Sequence, residues 1–316
     1  MNNEYSDYLK FVDDALELAK SIPRYFSKFS NKIYCNHQKF AIYVLMQKFK
    51  TTTRGIVSIL RASSDIRMQL GLNKVPVHTT VVRFVNRIRK QINKLLGIRQ
   101  AVSVAVDATG FELESKSYYY RTVWNSNRRQ KTKRFMKLSA AVDTEKKLIL
   151  THKIRKSCAN DTKDFKFLVK ELKTDYVLAD KGYDSKSNRQ FVINKLKAIP
   201  VIPVRRYTNF YGYFKQKKKI SGERYHQRSQ VESIFSAVKR KYGSVLRNKT
   251  FATQKVELVS KLIAYNLDRK QLIFNYFFKG CTRAHNQKLN IFLRYSVLIR
   301  RYKNETYFNR TKIFER

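Results

Sequence analysis

Apolar residues along the chain change period near residue 100, and that change divides the sequence. Before it they recur at helical spacing over Tyr8–Ala19, Phe40–Phe49, Ile56–Leu60 and Val81–Leu96. Gly55 and the VPVHTT stretch from Val75 punctuate these segments, with Thr79 or Thr80 as a candidate N-cap. The last segment is amphipathic: Val82, Val85 and Ile88 lie on one side, Arg83, Arg87 and Lys90 on another. From Ala101 the pattern becomes that of strands. AVSVAVDATG is a nearly uninterrupted, β-branched run that ends on Asp107, as a buried strand reads. KSYYYRTVWN, RFMKLSAAVD and KLILTHKI read as further strands, with a basic hairpin tip over residues 125–134. DTKDFKFLVKEL is a helix capped by Asp161 or Thr162, and DYVLAD is a short buried strand ending on Asp180. SNRQFVINKLK is helical and AIPVIPV is a strand. A basic, tyrosine-rich loop, Arg205–Ser221, then leads into one helix over Arg224–Gly243.

Strands followed by alternating helix and strand predict an α/β or α+β sheet with helices on its faces. Two of the strands end in aspartate, Asp107 and Asp180, and strand ends beside turns are where open α/β sheets place their ligands. The Arg224–Gly243 helix adds a stripe. At about 100° per residue, Tyr225, Arg228, Glu232 and Lys239 share an arc of about 60°, while Val231, Phe235 and Val238 point to an adjoining one. Taken singly, each residue has a plain structural role: strand-end aspartates form turns, and Arg228–Glu232 is an ordinary i, i+4 pair. Taken together, three carboxylates suit a hard divalent cation, and two such ions about 4 Å apart suit work on a phosphodiester.

The charge narrows the partner. Lys and Arg total 67 against 23 acids, a net +44 in 316 residues, which favours a polyanion. Nucleic acid is the expected partner, and the basic face of Val81–Leu96 makes Arg83 and Arg87 candidate DNA contacts. Cys35, Cys158 and Cys281 are isolated, and the five histidines fall at no metal-ligand spacing, so neither a disulfide framework nor a zinc module is expected. No signal-peptide pattern opens the chain and no apolar run approaches 18 residues. The expectation is a cytoplasmic, nucleoid-associated protein without a membrane partner.

VAVDATG, LADKGYDS and the spacing Tyr225-x2-Arg228-x3-Glu232-x6-Lys239 together resemble an insertion-sequence DDE transposase of the group with a Y-R-E-K signature. The resemblance covers Ala101–Tyr265, and more loosely the helical segment before it. It implies an RNase H-like catalytic domain, residues 99–275, behind an all-helical domain, residues 1–98, that reads DNA ends. A basic tail, residues 276–316, follows. It also implies Asp107, Asp180 and Glu232 as ligands of Mg²⁺, two ions with Mn²⁺ as a substitute. Arg228 and Lys239 would hold phosphates, and Tyr225 would lie beside the cleaved strand. The implied partners are double-stranded DNA, as terminal inverted repeats and target, and a second copy of the chain on paired ends. Fewer than twenty-five residues separate AIPVIPV from the Glu232 helix, too few for the β-rich insertion that some relatives carry. Asp143 and Asp184 read as turn residues. A non-catalytic DNA-binding derivative and a nuclease of the same fold are the alternative readings.

Overall fold

The computed structural model describes residues 2–96, 99–114, 135–156, 160–204 and 222–281. The strand KSYYYRTVWN, the hairpin tip, the Arg205–Ser221 loop, Cys158 and nearly all of the tail lie outside them. A first compact unit runs from Met1 to Arg269, and a second begins at Lys270.

Five helices come first: α1 (Asn2–Ala19), α2 (Asn36–Lys48), α3 (Thr53–Ala62), α4 (Ser64–Gln69) and α5 (His78–Ile88). Their starts follow local chemistry. The Cys35 thiol accepts from Gln38 N–H, while the Gln38 side chain accepts from Cys35 N–H, a reciprocal cap on α2. Thr52 and Ser63 cap α3 and α4 through Gly55 and Ile66 N–H. Two expectations are corrected here. Neither Thr79 nor Thr80 caps α5: the helix starts at His78, with Val77 at the cap position in extended backbone and no side-chain cap, which places both threonines inside the first turn. The helix also stops at Ile88, with a separate 3₁₀ turn at Ile92–Leu95. Val82 is 44% exposed, and the buried face of α5 is Val81, Phe84, Val85 and Ile88.

The sheet has the order β3-β2-β1-β4-β5, with β6 (Val245–Leu246) pairing with the end of β1. Its strands are β1 (Ser103–Leu113), β2 (Phe135–Asp143), β3 (Ile149–Arg155), β4 (Tyr176–Ala179) and β5 (Ile199–Val201). The strand end expected at Asp107 is corrected: β1 runs on to Leu113, held by pairing with β2 and then β6, and Asp107 lies in mid-strand. β2 and β3 run antiparallel to their neighbours, whereas β1, β4 and β5 are parallel. Helix α6 (Thr162–Val169) precedes β4, α7 (Lys186–Phe191) precedes β5, and α8 (Gly222–His226), α9 (Ser229–Tyr242) and α10 (Phe251–Cys281) follow.

Paired residues share a face, so the register sorts the sheet into two. Ala105, Asp107, Thr109 and Phe111 share one with their partners Val142, Ala140, Leu138 and Met136. Val231, Ile234, Phe235 and Val238 of α9 join these residues in one core with α1–α5 and the buried part of α10. The other face, with Val104, Val106 and Ala141, joins Phe165, Leu168 and Val169 of α6 in a second core. The helical segment and the sheet therefore share one core within the first unit.

Helix α10 fixes the end of α9. The Lys261 ammonium donates to the carbonyls of Gly243 and Val245 at 3.0 and 2.8 Å, and Tyr242 O–H donates to Asp268, which also pairs with Lys48 at 2.6 Å. Gly243 ends α9 at φ +86°, a backbone conformation that a side chain would strain. Asn266 closes the edge of β3 by accepting from Ile149 N–H at 2.9 Å and donating to Ile149 C=O at 2.8 Å.

His152 on β3 gives this region a pH dependence. Burial of its ring, helped by the nearby Lys255 charge, holds its pKa down to about 4, although the residue as a whole is only half-buried. An unfolded chain protonates histidine near pH 6.5 and so binds more protons than the fold between about pH 4 and 6.5. Stability therefore falls as pH drops through that window. His152→Gln is expected to narrow the gap in melting temperature between pH 7 and pH 5, by the equivalent of about 1–2 kcal/mol. An unchanged gap contradicts the assignment.

Candidate active site

Two neighbouring parallel strands bring the two aspartates together. Val104, Ala105 and Val106 of β1 pair with Val177, Leu178 and Ala179 of β4, so the register carried one residue further sets Asp180 beside Asp107. Adjacent strands lie about 4.8 Å apart. Asp107 accepts from Ala108 N–H at 2.8 Å and faces the side of the sheet that α9 covers. Asp180 follows β4 directly and opens the 3₁₀ turn Lys181–Tyr183.

Glu232 comes from above, on the first turn of α9, and is 56% exposed. Arg228 joins it to the sheet. Its guanidinium lies 2.8 Å from Glu232 Oε1 and 3.5 Å from Asp107 Oδ2. Burial raises the Asp107 pKa; the Ala108 N–H and Arg228 oppose that rise, and the charges of Glu232 and Asp180 add to it. Asp107 thus senses both other acids, with a cation among them. Among the described residues, no three His, Cys, Asp or Glu side chains stand together as a metal-binding group.

Farther along α9, Lys239 donates to Thr109 Oγ1 at 2.7 Å and stands 5.4 Å from the centre of the Phe111 ring. Arg228, Glu232 and Lys239 therefore border the face of β1 that carries Asp107, Thr109 and Phe111. Tyr225 is half-buried on the same core, with the Arg228 guanidinium 5.9 Å from its ring centre.

The single helix expected over Arg224–Gly243 is corrected to α8, a tightened junction and α9. Ser229 Oγ donates to the His226 carbonyl at 2.9 Å, and Gln230 N–H turns to Gln227 C=O instead. Bonds of the i, i+3 type run through Arg224–Val231, as a hydroxyl competing for a helix carbonyl explains.

On the opposite face of the sheet, Asp164 is fully buried. Arg155 Nε donates to both of its oxygens at 2.8 and 3.0 Å, Lys153 lies 3.0 Å away, and Ser139 O–H donates at 3.1 Å. Asp161 pairs with Lys137 and makes no capping bond on α6, so its expected cap role is corrected. Thr162 N–H donates to Asn160 instead. Asp143 accepts from Glu145 and Lys146 N–H, and Asp184 pairs with Arg189 at 2.7 Å, both at turns.

Two residues near the carboxylates escaped the sequence. Thr109 was legible only as part of a strand, because its partner Lys239 is 130 residues away. Tyr183 lay in a motif read as a turn, yet it is 1% exposed. Its hydroxyl has no hydrogen-bond partner among the described residues. Burial first, then Asp161, Asp107, Asp164 and Asp180, keeps that phenol protonated. Arg83 and Arg87 are exposed on α5, on its polar face.

Residues 99–267, more than half of the chain, match the family model of the transposase DDE domain. The chain belongs to that transposase family, whose members carry out DNA transposition. No curated protein matches it. Among solved structures, a piggyBac transposase synaptic complex with hairpin DNA matches at 10% identity and a TM-score of 0.42. The alignment spans 94% of this chain and 85% of that one, too loose a likeness to carry an argument. Among the described residues, no helix is long and apolar enough to cross a membrane.

Proposed function

We propose that this chain is an insertion-sequence transposase of the Y-R-E-K group with an RNase H-like catalytic domain. In this reading it binds the terminal inverted repeats of its element and cuts and joins DNA through Asp107, Asp180 and Glu232. The observation that carries the reading is Arg228, whose guanidinium lies between Asp107 and Glu232 while Asp180 follows in register on the next strand. Burial raises the Asp107 pKa, the charges of Glu232 and Asp180 add to that rise, and Arg228 opposes it, so positive charge at this place favours the ionised carboxylate. An all-oxygen set of this kind fits Mg²⁺ or Mn²⁺, with Asp107, Asp180 and Glu232 as the holding residues.

Bound at this site, a pair of such ions would activate the attacking oxygen and neutralise the leaving one at a phosphodiester. The chain's own residues supply the rest. Arg228 is a planar donor that can leave Asp107 and turn a two-pronged face to a phosphate. Lys239 presents a point charge farther along the same helix. Tyr225 offers a phenol beside Arg228 for the sugar or base next to the cut. The 1–98 segment would recognise the end through Arg83 and Arg87, and a second copy would hold the other end. The reading places the protein with DNA in a prokaryotic cytoplasm.

Lys239 and Lys241 test the stripe, because they carry the same charge and only one borders the sheet face with Asp107. Lys241 is 50% exposed and lies 3.9 Å from Asp268. Lys239→Ala is expected to slow cleavage of a repeat-bearing duplex by about 10- to 100-fold, one charge-assisted contact's worth. Lys241→Ala should change it less than about threefold, as exposed pairs do. Equal defects at both positions, in paired rate measurements, remove the specific role given to Lys239.

A further inference from the structure

Residues 23–35, between α1 and α2, form a compact loop tied at its base. Asn36 donates from its backbone to Arg24 C=O at 2.8 Å and from its side chain to Pro23 C=O at 2.9 Å. A His37 ring nitrogen sits 2.9 Å from Ile22 C=O. Phe26 of the loop stacks on Phe84 of α5 with ring centres 6.1 Å apart. The loop and α5 thus wall a groove of about 940 Å³, at the upper end of the size of ligand clefts.

The lining of that groove has one sign. Lys39, Arg83, Arg87, Arg89 and Lys90 line it, and no acid does. Among the described residues, none of these five forms an ion pair. Burial, and then the Arg87 charge, push the Lys39 ammonium below its ordinary value. The groove also carries apolar and aromatic surface left largely in water, with the Lys28 ammonium 5.0 Å from the centre of the Phe29 ring. Phe29 is 86% exposed and Ile33 61%, and Tyr34 is half-buried beside them. A large apolar ring left in water beside clustered cations is the chemistry of a base-stacking platform on a phosphate track. A duplex offers its phosphates to such a track, but its bases are stacked on each other and leave Phe29 unused.

We infer that this groove holds a single-stranded stretch of DNA, its phosphates on Arg83, Arg87 and Lys90 and a base stacked on Phe29. The inference rests on the transposase reading for the identity of the polyanion, and it adds a second DNA-strand site built apart from the carboxylates. Base pairs beside a nick in a duplex end open more readily than those within an intact duplex, so short unpaired stretches arise next to the cut in this reading.

The test uses the full chain in EDTA, so that binding is read without cleavage. Labelled dT12, an abasic 12-mer with the same number of phosphates and a 12-bp duplex are titrated by fluorescence anisotropy. dT12 should bind roughly 5- to 150-fold more tightly than the abasic strand, one stacked base's worth. Phe29→Ala should erase that difference while leaving the abasic and duplex affinities unchanged. So exposed a ring contributes little to folding, and an unchanged melting temperature confirms it. Arg83→Gln with Arg87→Gln should weaken both strands and lower the salt slope by about 1.4, two phosphates' worth. Equal binding of dT12 and the abasic strand by the wild type overturns the inference. So do undetectable binding, a base preference that survives Phe29→Ala, and a loss of duplex affinity on Phe29→Ala equal to the loss on dT12. A chain with Phe29-dependent binding that never cuts repeat-bearing DNA keeps the groove and loses the transposase reading. A chain that cuts without that binding does the reverse.

Discussion

Asp107→Asn leaves a protein that binds repeat-bearing DNA with near wild-type affinity and does not detectably cut it. The change keeps the side chain's volume and its acceptance from Ala108 N–H, which involves one oxygen at 2.8 Å. It removes one negative charge from the set that includes Asp180 and Glu232. An amide is a poor ligand for a hard divalent cation, and loss of one catalytic ligand costs at least 10³-fold in rate, on the order of 4 kcal/mol or more of transition-state stabilisation. Binding survives because the net charge of +44 changes by only one unit toward the basic side. Paired gel-shift and single-turnover cleavage assays separate the two effects. Retained cleavage within tenfold of wild type removes Asp107 from the chemistry. Equal loss of binding and cleavage makes it a structural residue.

Asp164→Ala is expected to be the most destabilising single charge removal where α6 packs on the sheet. The carboxylate has no exposed surface and holds Arg155, Lys153 and Ser139 together beneath α6. Burial alone would raise its pKa, but the hydrogen bonds and charges of Arg155 and Lys153 win, and the net shift is downward. Removing the acid leaves two cations against a buried floor without their counter-charge, which typically costs about 3–5 kcal/mol. The downward shift has its own signature. The contribution of Asp164 is complete above the ordinary aspartate pKa of 3.8 and is lost as pH falls below it. Urea titrations at pH 7 and pH 3 should therefore show a larger difference between wild type and Asp164→Ala at pH 7. A cost under about 1 kcal/mol at pH 7 means that the cluster behaves as a surface ion pair.

Much of this site was legible in the order of residues. The apolar run around Asp107 and the short run before Asp180 could only be buried strands. Two parallel neighbours in register then bring the two aspartate positions beside each other. The i, i+4 spacing of Arg228 and Glu232 survived the break between α8 and α9, because that break tightens the backbone without reversing it. What the sequence left dark depended on distant partners. Lys239 meets Thr109 across 130 residues, and the Asp164 cluster draws on two strands and a helix that no single window contains. Asp161 satisfied the local rule for an N-cap, yet a buried lysine from β2 outbid the backbone for its charge. Phe29 falls outside every periodic segment of the sequence, and only the folded loop shows that it stays in water.

Metal-dependent nicking on a matched pair of duplexes tests the central claim most directly. One duplex carries the element's terminal inverted repeats, taken from the DNA flanking the gene, and the other carries the same ends scrambled. Wild-type protein is incubated with each in Mg²⁺ and in EDTA. The account predicts strand cuts at the repeat boundary in the first duplex, only in Mg²⁺, and background cutting of the second. Cutting of both duplexes alike points to a nuclease without end recognition. Binding of the first with no cut in Mg²⁺ or Mn²⁺ contradicts the catalytic assignment of Asp107, Asp180 and Glu232.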